Sequence, residues 1–187
     1  MDQDVVLRAA SGDHEAFSEL ATNAFEALFR TARLILRDDD LAADAVQEAL
    51  LSAWLHIRAV RDPARFEGWL RRLLIRACYA QAARARRHRA IALQIDELDV
   101  VGDVSVEIQD RHAIRDQLER GFRRLSLDHR AVLVAHHYLG LPDLEASTML
   151  GVPIGTYKSR LNRATNAMRA ALEADGRSVA RRQESLA

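Results

Sequence analysis

At 187 residues the chain can form one large helical domain or two small ones. Alanine, leucine and arginine dominate, while glycine (8) and proline (3) are scarce and fall mostly between apolar-periodic segments, which excludes a sheet-rich fold and points to an all-α protein. Lysine plus arginine (27) balance aspartate plus glutamate (27), so the formal charge is zero and a polyanion binder driven by bulk charge is excluded.

Cys78 is the single cysteine and sits in an apolar-periodic stretch. It leaves no thiols for a disulfide framework or a zinc site, and a reducing compartment suits it as a small buried side chain. The opening Met1-Asp2-Gln3-Asp4 has no basic region before an apolar core, and no apolar run approaches the roughly 20 residues of a membrane span. A cytoplasmic protein without membrane insertion is expected.

In chain order, Asp13 is expected to cap a helix carrying Phe17, Leu20, Phe25, Leu28 and Leu36, and Asp40 to cap one running to about Arg58. In the second, Val46, Leu50, Trp54 and Ile57 recur at helical spacing and predict a buried stripe, which leaves Asp44, Gln47 and Glu48 together on an acidic outer face. The stretch 59–65 breaks the pattern. A third helix then turns Phe66, Trp69, Leu70, Leu73, Leu74 and Ala77 inward, and Arg84, Arg86, Arg87 and Arg89 crowd its far end.

From about residue 91 to 109 the periodicity fades, and Asp96, Glu97, Asp99, Asp103, Glu107 and Asp110 occur with no basic residue among them. This predicts a flexible acidic tether, although Ile95, Leu98, Val100 and Val101 give it docking capacity. Helical pattern resumes with Ile114, Leu118, Phe122 and Leu125, and a second helix with Val132, Leu133 and Leu139 stops at Gly140.

Residues 143–164 have the layout of a helix-turn-helix: a short helix ending at Met149-Leu150, Gly151 for a left-handed turn, and a longer helix opened by Pro153. Tyr157, Leu161, Ala164 and Met168 line an inward side of the longer helix. Thr156, Ser159, Arg160 and Arg163 line an outward side, flanked by Lys158 and Asn162. Arginine can fork onto guanine edges or phosphate, and small hydroxyls can donate to phosphate, so this face suits DNA; the alternative is an ordinary amphipathic hairpin with a basic solvent face.

The run from Leu139-Gly140-Leu141 through Gly155-Thr156-Tyr157-Lys158-Ser159-Arg160-Leu161-Asn162-Arg163-Ala164 resembles the fourth conserved region of the extracytoplasmic-function (ECF) sigma factors, the group IV members of the sigma-70 family. Tyr157 stands where that family usually has Val, and Ser147 where a small Ala is usual. Leu41-Ala42-Ala43-Asp44-Ala45-Val46-Gln47-Glu48-Ala49 resembles the same family's Asp-Ala-x-Asp-x-Val-Gln-Glu-x-Phe signature. The resemblance implies that Asp44, Gln47 and Glu48 dock on the clamp helices of the beta-prime subunit of RNA polymerase core. Phe66-Glu67-Gly68-Trp69-Leu70-Arg71-Arg72-Leu73 resembles the segment that melts and holds the −10 promoter element, which assigns Arg72, Arg76, Tyr79, Arg84 and Arg87 to that element. Arg76 and Ala80 replace a frequent Asn and Asp. Thr156, Lys158, Ser159, Arg160 and Arg163 are assigned to the −35 element.

The implied architecture is a region 2 helical domain over 1–90, an acidic linker over 91–110, a four-helix region 4 helix-turn-helix domain over 111–175 and a disordered tail over 176–187. The implied function is promoter-specific initiation of transcription with polymerase core and promoter DNA as partners, an anti-sigma factor as a candidate third, and neither cofactor nor metal. A catalytic role is not expected, because no phosphate loop, paired-carboxylate site or nucleophile-base arrangement is recognisable and the seven histidines are dispersed except His136-His137. An autonomous helix-turn-helix regulator would account for the C-terminal half but not for the acidic signature. The acidic tether is expected to mask the basic faces in the free chain, so that promoter binding needs core.

Overall fold

A computed structural model describes residues 2–92 and 111–184, and among these it builds eight α-helices and no strand. The expected tether lies, but for its first two residues, outside the described residues. No described helix is long and apolar enough to cross a membrane.

The first module starts with α1 (Gln3–Ala10) and α2 (His14–Leu36), both opened by aspartates in extended backbone: Asp2 accepts from the Asp4 amide and Asp13 from the Ala16 amide, each at 3.0 Å. Asp13 is also paired with Arg8 at 2.7 Å, which ties α1 to the start of α2. Phe25, expected on the apolar side of α2, is instead 46% exposed and stacks on Phe29. The helix ends at Arg37, which adopts the left-handed conformation with φ 61°.

Helix α3 (Asp39–His56) is capped by Asp38, not by the expected Asp40. Three successive aspartates can each cap, and the extended backbone of Asp38 is the one that aims a carboxylate at the Leu41 amide, 2.9 Å away. The helix ends at His56, and Ile57 lies in a 3-10 turn (Ile57–Ala59), followed by a second such turn (Pro63–Arg65). The buried stripe of α3 is made of alanines, Ala42, Ala45, Ala49 and Ala53, together with Val46; Leu50 and Trp54 are only half-buried. Trp54 packs between His14 and Phe17. Small side chains let α3 lie close along α4 (Phe66–Ala92), which buries Phe66, Leu70, Leu74, Ile75, Ala77 and Cys78. Burial pushes the Cys78 thiol up to about 12. Trp69, expected in the core, is half-buried against Phe66.

The second module comprises α5 (Arg111–Arg123), α6 (Leu127–Leu133), α7 (Asp143–Leu150) and α8 (Ile154–Glu184). Ser126 caps α6 by accepting from the His129 amide. Between α6 and α7 the chain widens into a π turn (Val134–Tyr138), closed by Leu139 N donating to Val134 O at 2.9 Å, before Gly140 (φ 62°) ends it. Gly121 stands mid-helix in α5 because α8 crosses there: a Cβ at that position would lie 2.8 Å from Met168 Cε. The stretch 176–184, expected to be disordered, continues α8 as helix, since alanine, arginine and glutamine favour helix and Gly176 costs it only about 1 kcal/mol.

The two modules touch. Helix α4 meets α7, and α2 meets α6 and the π turn.

Candidate nucleic-acid interface

The helix-turn-helix takes the expected form. Helix α7 ends at Gly151, whose φ of 68° is the left-handed turn a glycine adopts without strain, and Val152 N returns to Ser147 O at 3.0 Å. Ser147 is buried, and its hydroxyl is satisfied by the Leu144 carbonyl at 2.9 Å, so the replacement of a small apolar residue leaves no orphan group. Tyr157, Ala164 and Met168 are buried beneath α8 and Leu161 is half-buried. The Tyr157 hydroxyl has no hydrogen-bond partner among the described residues, and burial, with the Asp143 charge second, pushes the phenol upward.

On the outer side, at about 100° per residue, Thr156, Ser159, Arg160 and Arg163 fall within about 100° of arc, and Lys158 lies apart. Ser159 Oγ donates to Thr156 O at 3.0 Å, and Arg163 reaches Ser159 O at 3.2 Å and Ser159 Oγ at 3.3 Å, which folds this arginine along the helix surface. Lys158 Nζ is 3.7 Å from Asp143. Arg160 turns toward α6, where Nη1 lies 3.5 Å from Asp128 Oδ2.

In the first module Arg72, Arg76, Tyr79 and Arg87 fall within about 80° of one side of α4, with Arg84 turned away from them. Arg76 and Arg87 are exposed and Arg72 is half-buried. Tyr79 is half-buried and donates its hydroxyl to Asp128 Oδ1 at 2.7 Å; burial first and this bond second push its phenol above the ordinary range. Arg84 is spoken for as well: it grips Glu48 at 2.7 and 3.3 Å, and Gln81 Nε2 donates to the same carboxylate at 3.1 Å. That bond and the negative charges of Glu48 and Asp44 hold the guanidinium still more firmly in its cationic form.

The acidic face of α3 is thus divided. Asp44 and Gln47 are exposed, while Glu48 is partly buried under α4. Asp128, Glu119 and Asp143, the acids that meet basic or phenolic groups of these faces and of the seam between the modules, carry no sequence signal that singles them out; only packing identifies them. His136 and His137 meet edge to face, with His136 Nδ1 3.9 Å from Asp143, and no group of three or more His, Cys, Asp or Glu among the described residues could hold a metal ion.

Comparison with known proteins fits this layout. The family model described as Sigma-70 region 2 matches residues 12–88, and that described as Sigma-70, region 4 matches residues 115–168. The ECF RNA polymerase sigma factor SigM of Mycobacterium tuberculosis is 32% identical over 163 residues, covering 87% of this chain and 80% of the relative. SigL of the same species is 32% identical over 174 residues, covering 90% and 95%. Among solved structures, CnrH in complex with the cytosolic domain of CnrY matches with a TM-score of 0.63 at 26% identity, covering 93% of this chain and 98% of that one. The sigma factor RpoE bound to the anti-sigma factor NepR from Bartonella quintana matches in fold, with a TM-score of 0.66 at 24% identity over 85% and 98%. Two family regions in the right order, on two modules with the predicted helix-turn-helix in the second, show that this chain belongs to the ECF sigma factors of the sigma-70 family.

Proposed function

We propose that this sigma factor divides promoter recognition between its two modules, residues 1–90 and 111–175, and attaches to polymerase core through α3. Asp44, Gln47 and Glu48 dock on the beta-prime clamp helices. Arg72, Arg76, Tyr79 and Arg87, with Arg84 at their flank, hold the −10 element, where arginines meet phosphates and the tyrosine ring stacks an unpaired base. Thr156, Ser159, Arg160 and Arg163 enter the major groove at the −35 element, and Lys158 contributes to the same element from another side of the helix. The chain supplies no catalytic chemistry, needs no cofactor, and works in the cytoplasm beside RNA polymerase.

The observation that carries this reading is the pairing of one arginine-bearing helix face per module with an exposed Asp44-Gln47 edge on the first module alone. An autonomous regulator has no use for that edge. The complexes of CnrH with a CnrY domain and of RpoE with NepR support an anti-sigma factor as a further partner. The test is run-off transcription from a promoter library with purified core. Promoter-specific starts that depend on the chain, and that fall when Asp44 and Gln47 are changed to Ala, are expected; starts that require a resident sigma factor would favour the regulator.

A further inference from the structure

Asn162, expected at the flank of the outward side of α8, lies instead near its middle. At about 100° per residue, Gly155, Ser159, Asn162 and Asn166 fall within about 60° of arc, centred opposite the buried Tyr157, Ala164 and Met168. All four are exposed. Arg160 sits about 130° from the middle of that stripe and leans on α6, 3.5 Å from Asp128, while Arg163 folds back along the helix onto Ser159. The part of α8 that faces straight outward is therefore lined by amides and a hydroxyl. Gly155 opens it further: its φ is not positive and an added Cβ would meet nothing within 4 Å, so the fold itself makes no demand for a glycine. What its missing side chain permits is close approach from outside, at the end of the helix that goes deepest into a groove.

The two amides on this stripe are coupled. Asn166 Nδ2 donates to Asn162 Oδ1 at 3.0 Å, one helical turn away. A lone exposed amide presents its oxygen and its nitrogen interchangeably, but this bond fixes which atom of Asn162 lies on which side. It leaves Oδ1 a second lone pair and leaves both Nδ2 hydrogens free. An acceptor beside a donor, held in one plane, is the complement of the major-groove edge of adenine, which offers the N6 hydrogen and accepts at N7. Asparagine is a poor helix former, and an exposed amide pair contributes little to folding, so stability does not account for two of them here. We propose that Asn162 reads an adenine in the −35 element and that Asn166 is the positioning residue that holds its amide in the reading orientation before DNA arrives. This deepens the two-element reading above and rests on it.

The test pairs the full chain with purified core on a library whose upstream promoter block is randomised, and reads transcription starts by sequencing. Wild type is compared with Asn162→Ala, Asn162→Arg, Asn166→Ala and the double variant Asn162→Ala/Asn166→Ala. Circular dichroism checks folding, which these exposed changes should leave intact because alanine and arginine both favour helix more than asparagine does. Wild type should prefer an A·T pair at one upstream position by roughly five- to a hundredfold, and Asn162→Ala should erase the preference at that position alone. Asn162→Arg should move it to G·C, since a guanidinium forks onto guanine O6 and N7. Asn166→Ala should weaken the same preference and no other, and the double variant should match Asn162→Ala, because a brace has nothing to hold once the amide is gone. A loss at every position in Asn166→Ala would give that residue a structural part instead and overturn its positioning role, as would behaviour identical to wild type. Base preferences unchanged in Asn162→Ala overturn the proposal, and so does a uniform loss on all sequences, which marks a phosphate contact. The wild-type block separates the two readings. An upstream block in which no position answers to Asn162 sinks this proposal alone, whereas the absence of any upstream block sinks the two-element reading and this proposal with it.

Discussion

The two modules pack their helices differently. In the first, α3 presents Ala42, Ala45, Ala49 and Ala53, none more than 1% exposed, so that α3 and α4 lie side by side, and the large buried side chains Phe66, Leu70 and Leu74 come from α4. In the second, the short helices α5, α6 and α7 pack on the long α8, whose Tyr157 is fully buried, with Val132, Leu133 and Met168 also in the core. The alanine face of α3 has little to lose by truncation and much to lose by enlargement. The site filled by Tyr157 is the reverse.

The sharpest way to break that comparison is truncation. Tyr157→Ala should cost the second module about 3–5 kcal/mol, enough to unfold it while the first remains helical, and calorimetry should show the second module's transition lost. Enlargement targets the other side: Ala49→Leu should cost the first module about 1–3 kcal/mol, lowering its melting temperature and leaving the second unchanged. Equal responses of both modules to either change would erase the distinction. Tyr157→Phe sharpens it, because the buried hydroxyl has no partner; its removal should stabilise the second module by about 1 kcal/mol in denaturant titrations.

Much of this fold is legible in sequence, because local rules settle it. The 157, 161, 164, 168 period with Gly151 before it defines the helix-turn-helix, and Asp13 marks the start of α2. Where several residues satisfy one rule, sequence cannot choose: Asp38, Asp39 and Asp40 are equally good caps, and geometry selects Asp38. Gly121 reads as a weak point in a helix until Met168 is seen against it. The pairings of the candidate site were the least legible part. Glu48 meets Arg84 across 36 residues of chain and Tyr79 meets Asp128 across 49, and no periodicity links them. The faces were visible in the sequence; the side chains that meet them were not.

The smallest expected effect lies at the seam between the modules and appears only in alkali. The folded chain holds the Tyr79 phenol above its ordinary value of about 10, so its contribution is complete below that pH and is lost as pH rises through the raised folded value. Stability curves of wild type and Tyr79→Phe should run parallel up to about pH 10, and only wild type should lose the extra increment above it. Divergence at neutral pH instead would place the difference in packing.

The central claim, that each module reads its own promoter element once core holds them apart, is tested most directly by sequencing transcription starts from a randomised promoter library. Wild type, Arg160→Ala and Arg76→Ala would each be paired with core. Two separated sequence blocks are expected for wild type, with Arg160→Ala relaxing about one position of the upstream block at a cost of roughly 1–3 kcal/mol on the best promoters, and Arg76→Ala weakening selection only in the downstream block. Loss of both blocks in either variant, or a single block in wild type, would contradict the account.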